Sequence, residues 1–169
     1  MDRNRARRYA VLAVVGVLAL VSLYLFVSHA GFLPVSPGEY EQRTLQVTDC
    51  DGVERGTVTA DLAESSAQQY VGLSRTDSLA ADKGMLFVYD EEGSREIVMR
   101  NMDFGLDIVY IGEDGRIAGI TTLDAPDSAL GYYLTYDSTT GVGQYVLEVE
   151  AGWSETNNAS VGNCVTGLP

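Results

Sequence analysis

The chain has 169 residues, enough for one domain and a short appendage. Hydrophobic residues make up 46% of it and charged residues 21%, which excludes the disordered and fibrous classes. The net charge is -13, yet the mean hydropathy is close to zero, at +0.01. The two values are compatible only if the apolar residues are concentrated in one part of the chain.

The apolar residues are concentrated near the N terminus. Residues 9–28 contain no charged side chain, and about 20 such residues are enough to cross the hydrocarbon core of a membrane. Arginines at positions 3, 5, 7 and 8 precede this run and favour a cytoplasmic N terminus. We therefore predict a basic cytoplasmic tail at 1–8, a transmembrane anchor or signal sequence at 9–28, a tether at 29–43 and an extracytoplasmic domain at 44–169.

Two interpretations of the apolar run stay open. Ser28-His29-Ala30 has small residues at both recognition positions of a signal peptidase, so cleavage near Ala30 would give a secreted domain. The run is longer than the apolar region of most signal peptides, which favours an uncleaved single-pass anchor in the cell membrane. Both interpretations place the remaining chain outside the cell, with the membrane as a partner only through residues 9–28.

The outer part of the chain is strongly acidic. Residues 31–169 contain 23 acidic and seven basic residues, a net charge of −16, and Lys83 is their only lysine. Such a domain would be repelled by nucleic acid, which we exclude as a partner. The acids are spread along the chain, which favours adaptation to high salt over a single acidic binding face. At about 1 M salt, charges are screened within roughly 3 Å. The composition is therefore typical of a halophilic protein.

From Thr44 onward the sequence is mainly β. Turn signals separate short runs of β-branched and aromatic residues, which predict strands at 44–48, 56–60, 85–89, 96–99, 106–111, 116–123, 132–136 and 145–149. Asp61 and Glu64 predict the start of a helix and Gly72 its end, and a second helical turn is expected after Ala151-Gly152-Trp153. These elements predict a compact β-sandwich or barrel-like domain with one or two short helices.

The residue inventory excludes several chemistries. His29 is the only histidine, so the outer domain has no catalytic triad and no histidine metal site. Two cysteines cannot form a four-cysteine metal site, and no phosphate-binding glycine-rich loop is present. We therefore predict no metal and no cofactor. An enzyme would have to use carboxylates, tyrosines, arginines or Lys83.

Two modifications fit an extracytoplasmic domain. Cys50 and Cys164 lie near its two ends, and an even pair outside the cell favours a disulfide over two small buried residues. Asn158-Ala159-Ser160 is an acceptor tripeptide for N-glycosylation.

Several motifs together resemble the domain-of-unknown-function family 192 over residues 58–165. They are Gly72-Leu73-Ser74-Arg75, Gly84-Met85-Leu86-Phe87, Ile97-Val98-Met99-Arg100-Asn101-Met102, Gly105-Leu106-Asp107, Tyr145-Val146-Leu147-Glu148, Ala151-Gly152-Trp153 and Val161-Gly162. The chain departs from the family pattern where Ile97-Val98 replaces Phe-Trp and Gly105 replaces proline. The resemblance implies a compact, mainly β domain that is often exported or anchored, here a haloarchaeal-type, membrane-anchored member. It implies no activity.

The most informative candidate site residue is Asp107. It is the only polar residue in the run 106–111, which predicts a central strand and a half-buried carboxylate that needs a partner. Arg75, Arg100 and Asn101 are the candidate partners. The alternative is a structural carboxylate that ties a turn. For Trp153, core packing is favoured over ligand stacking.

The candidate pocket and function follow from these residues. The pocket residues that we predict are Arg75, Met99, Arg100, Asn101, Asp107 and Trp153, whereas Glu148 alternates with apolar neighbours and is interpreted as solvated. The favoured function is a membrane-anchored binding or envelope-accessory module with an unknown ligand or protein partner. The alternative is a carboxylate-based hydrolase that uses Asp107 and an arginine.

Overall fold

A computed structural model describes residues 3–29 and 36–169 of the chain. They belong to two compact units, residues 1–34 and 35–169, which are described separately. The predicted cleavage position at Ala30 and the first half of the predicted tether lie outside the described residues.

In the N-terminal unit, the described residues form one helix, α1 (Arg3–His29), which includes the whole apolar run 9–28. The helix forms because this run has no proline and few residues that favour turns. Among the described residues, no helix is both long and apolar enough to span a membrane. The transmembrane prediction is therefore corrected. The helix is present, but a membrane span is not found among the described residues.

The second unit is built on one seven-stranded sheet. Its strands are β1 (Gln42–Thr48), β2 (Glu54–Ala63), β3 (Lys83–Val98), β4 (Leu106–Ile111), β5 (Ile117–Leu123), β6 (Ser138–Glu150) and β7 (Cys164–Thr166). Their order is β5-β4-β6-β3-β2-β1-β7, and all neighbours are antiparallel except β2 and β3. Three short helices connect them: α2 (Ser66–Val71), α3 (Ala129–Tyr133) and α4 (Trp153–Thr156). The prediction of a mainly β domain is confirmed.

The sheet is not closed, but its two edges come together at one end. Arg116, just before β5, forms an isolated bridge with Cys164 of β7. Ile117 N donates to Asn163 O at 2.9 Å, and Val165 N donates to Gly115 O at 2.8 Å. These bonds satisfy backbone groups that an open edge would leave unpaired.

Two hydrophobic clusters lie on opposite faces of the sheet, because successive strand residues point to opposite sides. On β6, for example, Leu147 and Val149 belong to the first cluster, whereas Val146 belongs to the second. Residues of the connections near Leu73 and Met102 cover the second cluster. Both faces of the central strands are therefore buried, and every residue of β4 is buried.

Three predicted elements are corrected by local hydrogen bonding. α2 begins after Ser65, whose side chain forms a capping box with Gln68, whereas Asp61 lies in β2. The runs 85–89 and 96–99 are parts of one long strand, β3, which has an irregular register between Val88 and Gly93. The predicted strand 132–136 overlaps α3 instead, because Ser128 accepts a hydrogen bond from Gly131 N and caps a helical turn.

Candidate functional site

A cavity of about 110 Å³ opens on the face of the sheet that carries the second hydrophobic cluster. Its walls come from α2 and the following turn (residues 69–74), from β3 (Phe87, Tyr89 and residues 96–98), and from Arg100. Glu148 of β6 also lines it. The rim reaches the surface, since Tyr70 is 41% exposed and Val98 is 43% exposed.

The carboxyl group of Glu148 is the most unusual feature of this cavity. Glu148 is only 4% exposed, and it lies between Met85 of β3 and Ile108 of β4 in the sheet register. Burial in these apolar surroundings disfavours the charged form and raises the pKa of Glu148 from 4.5 to about 8. At pH 7 the group is therefore mostly neutral and can donate a hydrogen bond into the cavity.

No group in the described part of the chain compensates the burial of Glu148. Burial is the only cause of its raised pKa, and neither a hydrogen bond nor a neighbouring charge contributes. Buried polar groups in folded proteins are usually hydrogen-bonded. A carboxyl group that faces a cavity without such a partner is thus a candidate for contact with a ligand.

Arg100 forms part of the rim. Its guanidinium group donates to the backbone carbonyl of Tyr70 and lies over the Tyr70 ring, 4.0 Å from the ring centroid. Arg95 lies over the Tyr89 ring, also 4.0 Å from the centroid, and donates to the carbonyl oxygens of Glu91 and Gly143. These cation–π contacts place a guanidinium group against two aromatic walls of the cavity, while Arg100 Nε is buried with no hydrogen-bond partner among the described residues.

Asp107 lies on the opposite face of the sheet and has a different environment. Its Oδ1 accepts hydrogen bonds from Thr122 Oγ1 at 2.7 Å and Gly152 N at 3.2 Å, and its Oδ2 accepts one from Ser154 N at 2.8 Å. Asp107 is 1% exposed rather than half buried. The carboxylate therefore ties the turn before α4 to β4, and its partners are not the predicted Arg75, Arg100 or Asn101.

The remaining predicted pocket residues do not converge. Met99 is buried in the second hydrophobic cluster, and Arg75 is exposed. Asn101 adopts a positive φ of 54°, and its backbone N donates to Tyr132 O at 3.2 Å. Of the predicted set, Arg100 lines the cavity described above.

Trp153 packs in the first hydrophobic cluster, on the Asp107 side of the sheet. The close approach of β2 to its ring requires a glycine, because a Cβ atom on Gly56 would lie 2.7 Å from Trp153 Cζ2. The ring therefore has a packing role in the core.

One of the two candidate modification sites, the cysteine pair, lies at the end of the domain where the sheet edges meet. Cys50 and Cys164 are joined by a disulfide that closes a sequence separation of 114 residues. Arg116 Nη1 lies 3.1 Å from Cys50 Sγ. Asn158 is exposed just after α4, so an acceptor tripeptide is accessible there.

Sequence reasoning missed the burial of Glu148 because Glu148 and Glu150 alternate with the apolar residues Leu147 and Val149. The signal that could have found it is in β4, where both rows of side chains are apolar apart from Asp107. Such a strand needs cover on both faces, so its neighbour β6 also buries both rows, including Glu148.

Several of the motifs quoted above meet at the cavity. Gly72 and Leu73 form the turn after α2, and Gly72 lies against Phe87 so closely that a Cβ would be 3.3 Å from Phe87 Cζ. Ile97 and Val98, which replace the family's aromatic pair, line the cavity as well.

Comparison with known protein families supports this grouping. The family model DUF192, described as an uncharacterized ACR, matches residues 47–167. The chain belongs to the DUF192 family. The match covers strands β2 to β7 completely and the last two residues of β1, Val47 and Thr48.

Two solved structures share the DUF192 fold. One, from Sinorhizobium meliloti 1021, is described as a candidate transcription regulator; it is 26% identical, with a TM-score of 0.68 over 78% of this chain and 98% of that one. The other is a protein of unknown function from Novosphingobium aromaticivorans DSM 12444, 27% identical, with a TM-score of 0.63 over 78% of this chain and 90% of that one. No curated protein matches the chain.

Proposed function

We propose that this DUF192 domain is an extracytoplasmic module that binds a small ligand in the cavity next to Glu148. The observation that carries the proposal is a carboxyl group that is 96% buried, has no partner among the described residues, and faces open space. Such a group costs stability when nothing compensates its burial, and a ligand in the cavity would supply the missing contact.

Binding accounts for the geometry better than hydrolysis does. The alternative hydrolase required Asp107 to act with an arginine, but both oxygens of Asp107 are occupied by Thr122, Gly152 and Ser154. Glu148 and Asp107 lie on opposite faces of the sheet, so they cannot act on one substrate as an acid–base pair. We therefore keep binding as the single proposed function.

An oxidising location outside the cytoplasm is part of the proposal. A disulfide between Cys50 and Cys164 favours export, since cytosolic thiols are usually kept reduced. The N-terminal segment would then be an export signal that is cleaved near Ala30. Fractionation of cells that express the full chain, followed by mass spectrometry of its N terminus, tests this point. Recovery of a reduced, full-length chain in the cytosol would contradict it.

We further propose that the module does not bind nucleic acid, although one structural neighbour is described as a candidate transcription regulator. A net charge of −16 over residues 31–169 repels the phosphate backbone. The same charge favours a halophilic environment, in which salt screens the mutual repulsion of the carboxylates.

A fragment-binding experiment tests the cavity. Val98→Trp places a large side chain at the rim, and Val142→Trp makes the same change at an exposed valine of β6 that does not line the cavity. We expect small polar fragments to bind the full chain and Val142→Trp in saturation-transfer NMR, and to lose contact with Val98→Trp. Equal binding to both variants, or no binding to any form, would refute the proposed function.

A further inference from the structure

We propose that the ligand of this cavity is a small organic ammonium ion whose nitrogen pairs with the Glu148 carboxylate at the cavity floor. This inference rests on the proposed function, because it assigns the ligand class of the same cavity. Three independent features carry it: the size of the cavity, the placement of its charged groups, and the chemistry of its walls.

The cavity volume favours a small ligand. A volume of about 110 Å³ lies well below the roughly 300–1,000 Å³ of drug-sized ligand sites. A three-carbon primary ammonium ion is a ligand of suitably small size. Larger ligands would have to extend past the exposed rim at Tyr70 and Val98.

The charges around Glu148 leave room for an external cation. Tyr89 of β3 and Tyr110 of β4 are the titratable neighbours that interact with it electrostatically, and both are neutral at pH 7. The charged groups at the rim are Glu96 and Arg100, and Arg95 lies behind the Tyr89 wall. Arg100 is engaged by the carbonyl and the ring of Tyr70, and Arg95 by the Tyr89 ring and the carbonyls of Glu91 and Gly143. Among the described residues, no protein cation therefore pairs with Glu148.

The walls and the overall charge favour a cation over an anion. Phe87 lines the cavity, and aromatic rings attract cations through their faces; the Tyr89 ring, also in the wall, already carries Arg95 on one face. Glu96 adds a negative charge at the rim, and the net charge of −16 raises the local concentration of cations.

Binding of an ammonium ion would be coupled to the loss of one proton. The carboxyl O–H bond of Glu148 breaks, the proton passes to water, and the resulting carboxylate pairs with the ammonium group. At pH 7, a group with a pKa of about 8 would release about 0.9 proton on complete ionisation. A neutral ligand or a carboxylate would bind without this release.

The test uses the full chain in molar potassium chloride at pH 7, with n-propylammonium, 1-propanol and propionate as probes. NMR follows the Ile97 methyl signals for occupancy of the cavity and the Glu148 carboxyl carbon for its ionisation. We expect n-propylammonium to shift the Ile97 signals saturably and to ionise Glu148. Glu148→Gln should weaken its binding at least tenfold, while 1-propanol binding changes less than threefold.

The possible outcomes separate the ligand class from the proposed function. Tighter binding of 1-propanol or of propionate, with Glu148 still protonated, would overturn the ammonium assignment and leave the binding function intact. A saturable response to none of the probes would overturn both. If Glu148→Gln does not fold, Val98→Trp takes its place, with Val142→Trp as the matched control. Val98→Trp must then abolish the n-propylammonium response, and a response that persists in this variant would overturn the assignment.

Discussion

The raised pKa of Glu148 predicts a specific dependence of folding stability on pH. In the folded protein Glu148 keeps its proton up to a pH of about 8, whereas in the unfolded chain the carboxyl group has its ordinary pKa of 4.5. The folded state therefore binds more protons between these values, and stability falls as pH rises through this window. The contribution is fully present below pH 4.5 and lost above pH 8.

The magnitude follows from the two pKa values. Each pKa unit corresponds to about 1.4 kcal/mol, so the complete effect is about 5 kcal/mol. Between pH 5 and pH 9 the expected change is about 4 kcal/mol. Glu148→Gln removes the ionisable group and keeps the shape of the side chain. The free energy of unfolding of the variant, relative to the parent, should therefore rise by about 4 kcal/mol from pH 5 to pH 9.

Urea unfolding in molar potassium chloride, with the disulfide intact, measures this difference. The matched control is Glu150→Gln, which changes an exposed glutamate two residues further along the same strand. Because surface substitutions seldom alter stability by more than about 0.5 kcal/mol, the control should stay close to the parent at each pH. A stability difference between Glu148→Gln and the parent that does not change from pH 5 to pH 9 would refute the burial argument.

Three further predictions concern the core and the disulfide. In Asp107→Asn, the new amide NH₂ group faces a backbone N–H donor, so one hydrogen bond is lost. The free energy of unfolding should fall by about 2–3 kcal/mol in a urea titration, and an unchanged midpoint would contradict the structural role of Asp107. Replacing both Cys50 and Cys164 by serine should cost up to about 4.7 kcal/mol on the chain-entropy model, and an unchanged melting temperature would show that the bridge contributes nothing. Gly56→Ala should cost about 1–3 kcal/mol and shift the fluorescence of Trp153, since the added Cβ overlaps the ring; an identical spectrum and stability would contradict the close contact seen there.

The strand content was predictable where the pattern was local. The run 106–111 has apolar residues in both rows, and it forms β4 with the predicted bounds, buried on both faces. The run 132–136 was predicted as a strand because tyrosine favours strands. There, the cap provided by Ser128 outweighs the propensity and gives the short helix α3.

The candidate site was less predictable because it depends on long-range pairing. Arg100 could be named from its motif, but its contact with Tyr70 joins positions 30 residues apart. Glu148 is buried because β6 lies between β3 and β4, and that strand order cannot be derived from the alternation of its own neighbours. The sequence marks Asp107 as a carboxylate that needs partners, and in the structure these are a threonine hydroxyl and two backbone amides.

The absence of histidine from residues 31–169 gives Glu148 a wider significance. Histidine is the usual group that exchanges protons near neutral pH, and this part of the chain has none. Burial moves the pKa of Glu148 into a similar range, to about 8. Surface carboxylates are screened at molar salt, whereas buried groups are screened much less. The pKa of Glu148 should therefore change little between 0.2 M and 3 M salt, even where the stability of so acidic a domain changes strongly. NMR titration of the Glu148 carboxyl carbon at both salt concentrations measures this pKa directly. A pKa in the range of exposed glutamates at either concentration would show that solvent fills the cavity and hydrates the carboxyl group.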